Sequence, residues 1–462
     1  MSLDALPAAA TTDPDVRRVF ARDASGLELV PEAVARPAEQ REVAELLRRA
    51  TADGLAVTAA GGQSSTTGAS ISDRGLLLSL RGLRRVVDLD AGARAVRVEP
   101  GVGVAELRRL AAEHGLLFPP DPTSEEESTV GGAIACNASG ARSLRYGATR
   151  PWVRALRVVL ASGDTVELRR PGLEKNTVGY AAVQDPVDWF VGSEGTLGVI
   201  VEAELALLPL PARVVGFTFP FGDERAALEF VAAARESAAI RPRCLEFFDA
   251  RALGVVRGTA GGEQWGGDAA ALVYAEDAGE RDEEPALDAW LALAERHGAR
   301  VDDAALLESE AAMRDARRLR HAVPAAMNER GARCRAGGGR KVSTDWAVPY
   351  RRLPEAIAAA RAAAERHGVE QPAIYGHAGN GHPHENFIAR DASELAAVER
   401  AVEETLRRVL ALGGTVAAEH GIGKLKRRWL PLQLSPQQLG VMAAIKHELD
   451  PQGLLAPGNI LA

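Results

Sequence analysis

The sequence predicts an α+β protein of two or three domains, and three observations carry that reading. Its 462 residues exceed one ordinary domain, short helical stretches alternate with β-branched runs over 38–209, and longer helical patterns with strand-like runs fill 214–412. Gly and Pro punctuation sets the divisions at 1–210, 211–412 and 413–462.

In the first part, residues 39–52 read as helix and 76–80 and 95–99 as strands. In the second, 224–239, 308–323 and 354–366 read as helices, and 270–275 and 346–348 as strands. The clearest helix is 393–412: Leu395, Val398, Val402, Leu406 and Val409 recur at intervals of three and four, and Gly413 and Gly414 end it. Residues 413–462, rich in glycine turns, read as a tail that docks on something already folded.

Charge and composition narrow the partners. Asp plus Glu total 63 against 55 for Lys plus Arg, a net charge of -8, which argues against nucleic acid or anionic lipid and for a small molecule. Cys136, Cys244 and Cys334 are too few and scattered for a disulfide framework or a cysteine-ligated metal. No apolar run reaches the roughly 18 residues that span a bilayer. The N-terminus, with Asp4, Asp13 and Asp15, lacks the basic-then-apolar pattern of a leader, so the expected location is cytoplasmic.

Glycine clusters carry the first chemical signal, because a backbone without Cβ lets its N–H groups approach an anion closely. Gly61, Gly62, Gln63, Ser64, Ser65, Thr66, Thr67 and Gly68 follow the apolar run 55–57 and read either as a phosphate loop or as a polar surface turn. Gly101 and Gly103 follow a strand, but Glu106 stands where a dinucleotide fingerprint needs its third glycine, so they read as a tight strand-to-helix turn. A second cluster runs from Pro120, Asp121 and Pro122 through Thr129, Gly131, Gly132, Asn137, Ser139 and Gly140. It offers many hydrogen-bonding groups without formal charge, which suits a large planar ligand with a phosphate bridge. Arg145-Tyr146-Gly147 and the run from Gly195 through Gly198, Val199 and Ile200 complete the set.

Four of the nine histidines, His377, His382, His384 and His420, fall within 377–420. Residues 373–377 and 382–388 read as a hairpin around the two-residue turn Asn380-Gly381. The period of two puts His382, His384 and Asn386 on one face, and the hairpin brings His377 and His384 together. With Glu419, this supplies two imidazoles and a carboxylate for a borderline metal; a polar surface hairpin is the alternative.

The order of these segments resembles the FAD-linked oxidases of the vanillyl-alcohol oxidase superfamily, in the branch of D-lactate and D-2-hydroxyglutarate dehydrogenases and the glycolate oxidase flavin subunit. The resemblance runs from about residue 38 to the C-terminus. It implies a two-subdomain FAD-binding domain over 1–210, an α+β cap domain with an antiparallel sheet over 211–412, and a segment 413–462 that docks back on the FAD domain. It further implies that Gly61, Gly62, Gln63, Ser64 and Gly68 hold the pyrophosphate. Pro120, Asp121, Thr129, Gly131, Gly132, Asn137, Ser139 and Gly140 then line the isoalloxazine and ribityl chain, with Tyr146 beside them. Gly195, Gly198, Val199 and Ile200 lie near the adenine half. Gln63 and Ser65 stand where glycine is usual, and a side chain there is expected to narrow the pyrophosphate loop. No histidine precedes Glu113, so FAD is expected to be noncovalent.

By the same resemblance His377, His384 and Glu419 bind a divalent ion, expected to be zinc, while Asn386 and His420 face the substrate. Asn380 replaces the usual aspartate, removing an acceptor for a ligating imidazole, and His382 replaces the usual asparagine, adding an imidazole. The implied reaction is FAD-dependent oxidation of a D-2-hydroxy acid of the D-lactate, D-2-hydroxyglutarate or glycolate type to the 2-oxo acid. A hydride goes to flavin N5 and the hydroxyl proton to His420, with the metal assisting. Arg320 is the expected carboxylate anchor and Lys341 a further substrate contact. Arg314, Arg317 and Arg318 leave helix-surface charge as the alternative for Arg320.

Lys424, Lys426, Arg427 and Arg428 read as a solvated helix face. No CxxC pattern for an iron–sulfur cluster occurs, so electrons leave for an external acceptor: a protein, a quinone or oxygen. Assembly as a homodimer is left open. The competing function is a flavin-dependent transferase similar to alkyl-glycerone-phosphate synthase.

Overall fold

The computed structural model describes residues 10–461 apart from 260–261, 263–264 and 280–285, so Asp4 lies outside the described residues. It divides into two compact units. One contains the described residues up to Ser139, Gly147–Leu210 and those from Glu419 onward; the other contains Gly140–Tyr146 and Pro211–Ala418.

Two main sheets build the first unit. In the four-stranded one the order is Ala10–Thr11, Ala33–Ala35, Leu76–Ser79 and Val57–Ala60, with the last three parallel. The helix Gln40–Asp53 connects two of these strands and buries Val43, Leu46, Leu47 and Ala50. Glu42 accepts the N–H groups of Ala38 and Glu39 at its start, and Gly54 ends it in the left-handed region at φ 64°. The five-stranded sheet is antiparallel, in the order Val86–Asp90, Ala95–Val98, Val199–Ala206, Val153–Val159 and Thr165–Arg169. The chain from Glu419 onward joins this unit: Val57 N–H donates to Leu454 O at 2.9 Å and Ala456 N–H to Val57 O at 2.7 Å.

The second unit is one seven-stranded antiparallel sheet. Its order is Ala305–Leu307, Val214–Phe221, Ala271–Ala278, Pro242–Asp249, Ala373–His377, His382–Asp391 and Gly338–Ser343. One face is apolar. Phe217 and Phe219 project there against Phe230 and Trp290, with ring centroids 5.2–6.2 Å apart. On the other face, Cys244, Phe248, Leu272, Tyr274 and Tyr375 form a core with Ala316, Val323 and Met327 of the long helix Glu310–Arg333. That helix runs past 323, where the sequence reading ended it, and carries Pro324 inside it. Gly331, nine-tenths of the way along, packs directly on strand residue Lys341, where a Cβ would meet Lys341 N at 2.5 Å.

Two expected strand features differ. Residues 346–348 form an isolated bridge, Ala347 to Thr415, instead of a strand. The hairpin turn is four residues long: His377 pairs with His382, a 3-10 turn covers Ala378–Asn380, and Gly381 closes it at φ 68°. A side chain on Gly381 would meet Val348 O at 1.9 Å, so the neighbouring segment, as well as the Asn-Gly pair, dictates this wider turn. No described helix is long and apolar enough to cross a membrane.

Candidate functional site

In the first unit the strand Val57–Ala60 runs into Gly61 and Gly62, and both glycines are required by close approach. A Cβ on Gly61 would lie 2.3 Å from Thr129 Oγ1, and one on Gly62 2.0 Å from Glu127 O. The two glycine clusters therefore lie against each other. Arg81 draws the carbonyls of Gly61 and Gly62 to one side, its Nε and Nη2 donating at 3.2 and 2.8 Å. The backbone N–H groups from Gly62 through Thr66 meet no acceptor among the described residues. A run of unsatisfied, half-buried donors fits a pyrophosphate.

Gln63 does not narrow this loop. It adopts φ 55°, a conformation natural to glycine, and its side-chain amide turns to donate to Phe20 O at 3.0 Å and Arg22 O at 3.3 Å. Ser65 Oγ accepts from Thr67 N–H and Ala69 N–H, tightening the return to Gly68 at φ 78°.

In the second cluster Thr129 caps the helix Val130–Cys136, its Oγ1 accepting from Gly132 N–H at 3.4 Å. Gly131 lies against Pro100, and Asn137, at φ 49°, accepts Arg150 N–H at 2.9 Å. Pro120 O accepts from Arg108 at 3.1 Å, with Asp121 next in the chain. Ser139 ends this stretch, whereas Gly140 and Tyr146 belong to the second unit, where Ser143–Tyr146 packs on the strand Pro242–Asp249. Val199 and Ile200 send their side chains into two different apolar cores, and Gly198 lets that strand approach Val158. Gly195 turns at φ 74°. Beside it, Glu194 is a residue the sequence reading missed: its buried carboxylate accepts Ile422 N–H at 2.5 Å and Gly423 N–H at 2.7 Å. Burial raises its pKa above the ordinary range. Glu419 and His420 lie in this unit just before that clamp, with Thr67 Oγ1 donating to His420 O at 3.5 Å.

The second unit gathers the imidazoles. Pairing of His377 with His382 and Tyr375 with His384 puts all four side chains on one face, because directly opposed residues of an antiparallel pair share a face. Ring centroids are 5.3 Å apart for His377–His384, 4.7 Å for His382–His384 and 5.4 Å for His377–His382. All three rings are buried, and one nitrogen from each lies within 4.8 Å of the others. Gly376, at φ 126°, makes room: a Cβ there would meet His384 Cδ2 at 2.9 Å.

Around them the face is charged and buried. Glu246, on the strand Pro242–Asp249, accepts from His377 Nδ1 at 2.6 Å and from Arg320 Nε at 2.5 Å. Burial opposes its ionisation, but the Arg320 guanidinium and the His377 imidazole prevail and hold its pKa at about 2. Arg320 is 5% exposed, so it is no helix-surface charge, and its Nη2 lies 3.3 Å from His377 Nε2. His382 Nε2 stands 3.2 Å from Asp345 Oδ1. Glu246 and Asp345 thus supply the carboxylates beside imidazoles that Asn380 cannot. Glu246 was legible only as a lone charge in the apolar strand text 244–248; Asp345 carried no signal of its own.

Asn386 continues the same face, and both polar atoms of its buried amide lack a hydrogen-bond partner among the described residues. An amide sealed without partners costs about 1–3 kcal/mol, which a bound ligand would recover. Lys341 pairs across from Ile388 on this face and donates to Asn328 at 2.9 Å; burial lowers its ammonium to about 8. Three imidazoles, two of them beside carboxylates, with an orphaned amide alongside, fit a borderline divalent cation and a polar ligand.

A donor-rich glycine loop in one unit and, in the other, a buried imidazole cluster of the kind that can hold a metal ion fit a cofactor-using enzyme. Comparison with known proteins names it. The C-terminal domain of the FAD linked oxidases matches residues 210–460, and an FAD binding domain matches 31–169. The chain is 32% identical to a D-2-hydroxyglutarate dehydrogenase of Xanthomonas citri pv. viticola, over 93% of this chain and 89% of that one. It is 30% identical to the glycolate oxidase subunit GlcD of Bacillus subtilis, over 96% and 92%. It is also 30% identical to a D-lactate dehydrogenase of Archaeoglobus fulgidus, over 93% and 91%. A solved alkyldihydroxyacetonephosphate synthase superposes with a TM-score of 0.73 over 98% of this chain and 84% of that one, at 18% identity, a likeness of fold. The chain belongs to the FAD-linked oxidases.

Proposed function

We propose that this FAD-linked oxidase oxidises a D-2-hydroxy acid to the 2-oxo acid at the imidazole-bearing face of the second unit. The observation that carries the reading is the orphaned Asn386 amide beside three clustered imidazoles, two of them next to carboxylates, and the buried Arg320. The names of the relatives agree in substrate class, 2-hydroxy acids.

In this reading His377 and His384, with Glu419, hold a divalent ion, proposed as zinc. When bound, FAD supplies the two-electron acceptor and the cation the Lewis acidity. Arg320 takes the substrate carboxylate with its planar fork, Asn386 hydrogen-bonds the substrate, and Lys341 contributes a further cationic contact. His420 takes the hydroxyl proton at an imidazole nitrogen, which titrates near neutrality. The reduced enzyme passes electrons to an external acceptor.

The test is anaerobic bleaching of the flavin absorbance by D-lactate, D-2-hydroxyglutarate and glycolate, with L-isomers as controls. His377→Ala and His384→Ala are expected to lose metal and bleaching while keeping FAD, because the flavin-binding clusters rest on other segments. Either variant with full metal content and turnover refutes the ligand assignment.

A further inference from the structure

We infer that His382 is a resident third imidazole ligand, so that the cation is held by three histidines of a single hairpin instead of two. The inference rests on the metal reading above and deepens it, since His382 occupies a position where the family pattern carries an asparagine.

Four observations converge. His382 is directly opposite His377 and on the same face as His384, so the hairpin register alone brings the three rings together. Its ring is 4.7 Å from that of His384, the shortest centroid distance of the three, and it is 4% exposed. One nitrogen from each ring lies within 4.8 Å of the others, close enough for a single ion to reach all three.

The fourth observation is the carboxylate behind it. Asp345 Oδ1 lies 3.2 Å from His382 Nε2, within ion-pair reach, while His377 Nδ1 is hydrogen-bonded to Glu246 Oε1 at 2.6 Å. A carboxylate beside a ring raises the basicity of the imidazole, as it does for ligating histidines. An asparagine at 382 would offer this buried carboxylate a neutral amide in place of an imidazole that can carry charge. Asp345 is itself anchored, with Ala418 N–H donating to its backbone O at 2.7 Å. Two buried carboxylates thus flank the three rings on the sheet face.

The chemical consequence is selectivity. Three imidazoles form a nitrogen-rich set, which suits zinc or cobalt over the oxygen-preferring magnesium and manganese. An asparagine at that position would offer an oxygen and soften the preference.

The experiment compares the full-length, FAD-loaded protein with His382→Asn and Asp345→Asn, using Zn²⁺, Mn²⁺ and Co²⁺ alone as probes. Metal affinity is read by chelator competition, and the ligand field by the visible bands of the Co²⁺-loaded protein. Expected are at least a tenfold loss of Zn²⁺ affinity in His382→Asn with little change for Mn²⁺, and altered Co²⁺ bands. Asp345→Asn, which leaves the ring in place, is expected to lose 10–100-fold in Zn²⁺ affinity with the Co²⁺ bands kept. Unchanged Co²⁺ bands and Zn²⁺ affinity in a folded, FAD-bound His382→Asn protein overturn the inference and leave the two-histidine reading standing. If the unaltered protein binds none of the three ions, the metal reading itself fails. Should His382→Asn not fold, Asp345→Asn decides: unchanged Zn²⁺ affinity there overturns the inference.

Discussion

Glu246 ties His377 to Arg320: one carboxylate oxygen takes the imidazole Nδ1 at 2.6 Å and the other the guanidinium Nε at 2.5 Å, with no solvent exposure. The expected cation ligand and the expected carboxylate anchor are therefore not independent. Glu246→Gln leaves the guanidinium buried without its counter-charge, and removing one partner of such a pair costs about 3–5 kcal/mol. The urea midpoint should fall accordingly, and in the surviving folded protein metal affinity should drop about 10–100-fold. A stability within error of the unaltered protein contradicts the pairing.

Gly376 tests the geometry of the hairpin. At φ 126° and with a prospective Cβ 2.9 Å from His384 Cδ2, Gly376→Ala must either move the ring or strain the backbone. The expected cost is about 1–3 kcal/mol with loss of bound metal and FAD retained, read by thermal melting and metal analysis.

Glu194 tests the clamp on the C-terminal segment. Glu194→Ala strips the acceptor from the N–H groups of Ile422 and Gly423, at about 1–3 kcal/mol for each donor left unsatisfied. The expected outcome is a lower denaturant midpoint together with faster proteolysis between 419 and 430.

Gln63 tests whether the departure from glycine obstructs the loop. Because its amide points to Phe20 O and Arg22 O, Gln63→Gly relieves a positive φ worth about 1–2 kcal/mol and gives up hydrogen bonds worth about 1 kcal/mol. FAD affinity is expected to change less than about threefold, as measured by fluorescence titration; a tenfold gain means the side chain did obstruct the cofactor.

Asp249 gives a pH signature away from the imidazole-bearing face. Burial raises its carboxyl to about 6 from an ordinary 3.8, against the N–H groups of Ala252 and Ile374 and the Arg361 guanidinium, which act to lower it. The native state therefore holds this proton more tightly than the unfolded chain, so its contribution is greatest below about pH 4 and is lost as pH rises through about 6. Asp249→Asn keeps an acceptor at the helix start and should flatten stability over that window, a difference on the order of 2–3 kcal/mol.

Much of the architecture was legible because periodicity is local. Helix 393–412 stands in the structure as Ala392–Ala411, with Val398, Val402, Leu406 and Val409 buried as their spacing requires. The shared face of His382, His384 and Asn386 follows from the period of a strand. What stayed hidden depends on pairing between distant segments. Glu246 meets His377 only because two strands 131 residues apart adjoin, and no local pattern announces that register. Arg320 resembled its exposed neighbours in sequence until the long helix laid it against Glu246. The four-residue turn escaped notice because Asn-Gly favours a two-residue one in isolation, whereas Val348 O, close to Gly381, selects the wider path.

The strand Val57–Ala60 lies at the edge of its sheet, and its outer backbone groups are met by Leu454 and Ala456. During synthesis the ribosome makes this strand long before its cover. Until those covering residues are made, the nascent protein carries an open strand edge of the kind that recruits other chains. Ribosome-bound intermediates of this enzyme are therefore natural clients for chaperones, and 3′-truncated messages yield products prone to aggregate even though every residue of that sheet's strands has been made.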